Sequence, residues 1–185
     1  MAKRSIVKIV EQEYQKMVDA NLSADEIRSI QKERRKMAES EIYRYNSSGR
    51  IIEALEERIE RERERLSAPG TPVLSDMPKG PHNPEKATEK MAEAIDKIIA
   101  WERRINEETG KNEMFKRAWE TLDVIEQQAL SLRFCADGGF LDAGEAIEKL
   151  GYSKKQFYRI LNMGLDILAL QLFGSVGASH PFIEI

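Results

Sequence analysis

Apolar residues recur every three or four positions along most of this chain, the period of an amphipathic helix. Ile6, Val7, Ile9, Val10, Tyr14, Met17 and Val18 trace a first stripe, which ends at Asn21-Leu22. Ser23-Ala-Asp-Glu26 has the form of a capping box, in which the serine hydroxyl and the glutamate carboxylate satisfy each other's free backbone N–H groups. It opens a second helix through Ile27, Ile30, Met37 and Ile42, which Ser47-Ser48-Gly49 is expected to break or kink. Farther on, Ile52, Leu55, Ile59 and Leu66 step at coiled-coil spacing, interrupted by Glu62.

From Ser67 to Pro84 the pattern stops. Repeated Pro and Gly forbid regular structure, so 67–84 reads as a loop. Asn83 is placed to cap the next helix, and Pro84 suits its first position, where a missing N–H costs nothing. That helix should bury Met91, Ile95, Ile98, Ile99, Trp101 and Ile105 on one broad face and stop at Thr109-Gly110. Two striped helices joined in this way are expected to fold back as an antiparallel coiled-coil hairpin, each stripe covering the other. After Lys111, a compact cluster over two helices is expected from Met114, Phe115, Ala118, Trp119, Leu122, Ile125, Leu130, Leu132 and Phe134. Asp137-Gly138-Gly139 reads as a turn, and 175–185 as a flexible tail.

The most specific stretch is 142–161. Asp142 with Glu145 offers a cap for a short helix, Gly151 allows a sharp turn, and Ser153 with Gln156 is a second capping box. Six positions after the turn glycine, Phe157 supplies the apolar residue that locks the second helix of a helix–turn–helix. Four positions before it, where such motifs carry a small residue, stands Ile147, with Ala146 next to it and Gly144 available to relieve crowding. A short helix with a buried stripe and a basic, aromatic outer face suits the DNA major groove. The expected DNA-binding residues are Ser153, Lys154, Lys155, Gln156, Tyr158, Arg159 and Asn162. Helix–turn–helix geometry also serves as plain packing in all-α domains, which is the competing account.

Charge sharpens this picture. A third of the residues are charged, and the formal net charge is −3, so bulk attraction to nucleic acid is not expected. Any DNA contact must come from a local patch, and between Glu148 and Asp166 the only charged residues are Lys149, Lys154, Lys155 and Arg159. The alternating run Glu57–Arg65 reads as a solvated helix face. The single cysteine, Cys135, reads as a small core thiol and excludes an internal disulfide. His82 and His180 sit in loop-like sequence without metal-ligand spacing. No signal peptide or membrane span is evident. Neither catalytic residues nor a metal or cofactor site is expected, since no nucleophile–base set, acid pair or phosphate-cradling glycine loop assembles; an enzyme is not expected.

The chain also resembles phage-encoded transcriptional regulators of the ArpU/RinA type, on the strength of Leu74-Ser-Asp-Met-Pro-Lys-Gly80, Leu130-Ser-Leu-Arg-Phe134, Leu150-Gly-Tyr-Ser153 through Phe157-Tyr-Arg159, and Ile167–Gly174. The resemblance covers most of 40–174 and implies a C-terminal domain similar to the promoter-reading region of bacterial sigma factors. The expectation is therefore an all-α protein. It comprises an N-terminal helical region over 1–35, the hairpin over 36–110, a sigma-like helix–turn–helix domain over 111–174, and the tail. The expected function is sequence-specific transcriptional regulation, as a late-gene activator at promoters in the cytoplasm of a bacterial host. Its expected partners are double-stranded DNA, host RNA polymerase, and further copies of the chain through the coiled helices, with no membrane. The alternatives are a phage terminase small subunit, which acts in DNA packaging, or a helical adaptor that binds no DNA.

Overall fold

A computed structural model describes residues 3–67, 84–134 and 142–174, with side chains described from Lys8 and, after the gap, from Glu89. These residues form six helices and no strand: α1 (Lys3–Asp19), α2 (Ala24–Ser67), α3 (Pro84–Glu120), α4 (Val124–Phe134), α5 (Ala143–Leu150) and α6 (Lys154–Phe173). The protein is all-α over these segments. The readings placed on Cys135, His82, His180, the 137–139 turn, residues 68–83 and the tail lie outside them.

The local start and stop signals act as their chemistry requires. The Ser23 hydroxyl and N–H both donate to Glu26 Oε2, at 2.6 and 2.8 Å, which fixes the first turn of α2. Asn21 precedes it in the left-handed region, at φ 57°. Pro84 is the first residue of α3, as its fixed φ favours.

Two expected breaks do not occur. α2 runs unbroken for 44 residues through Ser47-Ser48-Gly49, and α3 runs for 37 through Thr109-Gly110. A mid-helix glycine costs only about 0.5–1 kcal/mol, too little to stop a helix whose flanking turns are already propagating. Neither glycine takes a positive φ, the geometry that a glycine stop uses.

The described chain forms two compact units, one from Met1–Asn46 with Asn112–Ile185, the other Ser47–Lys111. The core of the first joins Val10 of α1, Ala38 and Ile42 of α2, Phe115 and Ala118 of α3, Leu130 and Phe134 of α4, and Phe157, Leu165 and Leu168 of α6. Tyr45 stacks on Phe115 at 4.5 Å between ring centroids, and Phe115 on Trp119 at 5.7 Å. α6 packs tightly on α4 at Gly164, where an added Cβ would meet Leu130 Cδ1 at 3.0 Å. Several residues expected inside are not: Ile9, Val18, Met114 and Ile125 are all exposed. The apolar pattern there is wider than the contact face that each helix presents.

In the second unit, Leu55 and Ile59 of α2 and Ala94 of α3 are buried, and Arg63 Nη2 meets Glu102 Oε1 at 2.7 Å. Met91, Ile95 and Ile99, expected beneath the facing helix, are instead 54, 41 and 57% exposed. Small Ala94 is the innermost described apolar residue of α3 here, and the broad stripe spreads beyond what one neighbouring helix covers.

Candidate nucleic-acid interface

Two caps build the segment that sequence singled out. Asp142 accepts from Glu145 N–H at 2.9 Å while Glu145 Oε2 accepts from Asp142 N–H at 3.2 Å, starting α5. Gly151 then turns the chain at φ 67°, its N–H bonded to the carbonyls of Ile147 and Glu148. Ser153, extended at φ −67° and ψ 151°, caps α6: Gln156 N–H donates to its hydroxyl, and its own N–H and hydroxyl donate to Gln156 Oε1. Gly174 ends the helix at φ 73°.

The interior side of the turn also departs from expectation in detail. Ala146 is fully buried, whereas Ile147 is only half-buried. The small, fully buried residue of α5 is Ala146, one place from the expected position. Gly144 relieves nothing between helices; a Cβ there would meet the Asp142 carboxylate at 3.0 Å, so it makes room for the cap.

Phe157 is completely buried and Leu161 nearly so, which fixes the rotation of α6 about its axis. Ser153, Lys154, Lys155, Gln156, Tyr158 and Arg159 are consequently all exposed. Tyr158 lies edge-on to Phe157 at 5.6 Å, so its ring is held while its outer edge faces water. Lys154, Lys155 and Arg159 have no ion-pair partner among the described residues. Gln156 spends its side-chain oxygen on the cap, leaving its amide N–H₂ as the free group.

Asn162, the seventh expected residue, stands apart from the other six. It is half-buried and lines a groove of about 450 Å³ with Arg28, Gln31, Lys32, Arg35, Lys36 and Glu39 of α2. The cations of α2 at 28, 32, 35 and 36 carry a helical spacing visible in the sequence. Nothing local, however, indicates that this face of α2 borders α6. Arg159 also lines a cleft of about 290 Å³ with Glu126, Tyr152, Gln156, Ile160 and Met163.

Among the described residues no group of His, Cys, Asp or Glu could hold a metal ion, and no helix is long and apolar enough to cross a membrane. Comparison of the chain with protein-family models, with curated proteins and with solved structures finds no match.

Proposed function

We propose that this chain is a sequence-specific DNA-binding transcription regulator, of the phage late-gene activator kind, acting at promoters. In this reading α5, the Gly151 turn and α6 form a helix–turn–helix whose second helix lies in the major groove. The observation that carries it is the start of α6. Three cations without ion-pair partners among the described residues, and a tyrosine, project to solvent from a helix whose rotation is fixed by buried Phe157. Unpaired, exposed cations are what phosphates and guanine edges need, because no internal partner must first be displaced.

α2 and α3 of the second unit then form the coiled hairpin, supported by the Arg63–Glu102 ion pair and by buried Leu55, Ile59 and Ala94. The exposed Met91-Ile95-Ile99 stripe is the surface through which copies of the chain associate, since a row of this kind exposes apolar area that no described residue covers. That stripe also favours the packaging alternative, a terminase small subunit, so assembly mass separates the two: a ring supports packaging, a dimer supports regulation.

Footprinting on the genomic DNA neighbouring the gene tests the assignment. The wild type should protect a defined site with steep salt dependence, and Lys154→Ala/Lys155→Ala/Arg159→Ala should lose it. Equal protection by the triple variant removes α6 from the interface. Absence of any duplex binding at low salt leaves the adaptor reading.

A further inference from the structure

Lys155, Arg159, Asn162 and Asp166 fall on one row of α6, at steps of four, three and four residues. That row does not end in solvent. At Asp166 it meets α2, where Arg35 Nε and Nη2 donate to the two carboxylate oxygens at 2.7 Å each. At Asn162 it borders the groove walled by Arg28, Lys32 and Lys36. Arg35 is occupied by Asp166, and Arg28 pairs with an exposed Asp25 at 3.3 Å. Lys32 and Lys36 have no ion-pair partner among the described residues and are exposed.

The dimensions suit a duplex. From Lys155 to Asp166 is eleven residues, about 16 Å along the helix axis, against a major groove about 12 Å wide. With the first turns of α6 inside the groove, its later turns stand at the groove wall, where a phosphate strand runs. The cations of α2 lie at that point. The neutral amides of Gln31 and Asn162 line the same track, and Glu39, one turn past Lys36, is the single carboxylate in the lining.

We infer that the N-terminal part of α2 is a second nucleic-acid contact: Arg28, Lys32 and Lys36 bind the phosphate backbone bordering the groove that α6 occupies. This rests on the reading that α6 enters a duplex. It gives α2 a positioning task, since phosphate contacts fix register without reading sequence. The Arg35–Asp166 pair couples that contact to α6, holding the phosphate track and the base-reading row at a fixed spacing.

The test compares Lys32→Gln/Lys36→Gln with the α6 triple variant on a short mixed-sequence duplex and on the footprinted site. Glutamine keeps helix propensity, and circular dichroism checks that helicity is unchanged. The double variant should weaken both duplexes by the same factor and reduce the slope of log K against log salt by about 2, leaving sequence preference intact. Lys32→Glu/Lys36→Glu should weaken binding further on both. A wild-type slope in the glutamine variant, with binding lost in the α6 triple variant, overturns the α2 contact and leaves α6 standing. A wild type that binds neither duplex overturns the α6 reading, and the α2 contact with it.

Discussion

Tyr14 donates its hydroxyl hydrogen to Asp166 Oδ2 at 2.8 Å, joining α1 to α6 across 152 positions of sequence. Burial first, then the negative charge of Asp166 and the hydrogen bond to it, push the Tyr14 hydroxyl up from 10.0 to about 12, against a smaller pull from Arg35. Arg35's own hydrogen bonds to Asp166 hold its guanidinium above its ordinary range. A folded-state value above the unfolded one means that the tyrosine's contribution is complete below pH 10 and is lost as pH rises toward 12. Tyr14→Phe should therefore cost about 1–2 kcal/mol at neutral pH, and the variant's stability should fall less steeply through that alkaline window. Urea midpoints measured across it check this; parallel curves for the two proteins would sink the assignment. In the sequence Tyr14 is visible only as one member of an apolar stripe. Its hydroxyl partner is not visible, because nothing local links positions 14 and 166.

At the scale of elements, the caps are the most legible features. Ser23, Asp142 and Ser153 each act within three residues of themselves, so their sequence suffices. Helix breaks are less legible, because a break depends on the balance between a small local penalty and the propagation of flanking turns. Gly49 shows that balance directly: it lies inside α2 with no atom within 4 Å of where a Cβ would stand. Gly49→Ala should raise stability by about 0.5–1 kcal/mol, read as a higher thermal midpoint. A lower midpoint would mean that α2 bends or opens there after all. Burial along each stripe is legible only in part. Phe157 and Leu161 are inside as the period requires, while Ile99 and Met91 share that period and stay exposed.

For the whole molecule, the second unit interrupts the first in sequence. Within the first unit, Arg44 Nη1 donates to Asn112 Oδ1 at 3.0 Å, so the ends left by removing Ser47–Lys111 lie close together. Joining Asn46 to Asn112 through a short Gly/Ser linker should leave a helical protein that unfolds cooperatively. Gradual melting without a cooperative transition would show that the first unit depends on the second. What the residues alone determined is the helical class, the caps at Ser23, Asp142 and Ser153, and the turn at Gly151, since each follows from interactions spanning four residues or fewer. Tertiary structure alone decided that Ala146 is the fully buried small residue of α5, that part of the α3 stripe faces water, and that the cations of α2 border the α6 row. Those outcomes depend on which faces meet across large separations in sequence, and a helical period specifies a face without specifying its partner.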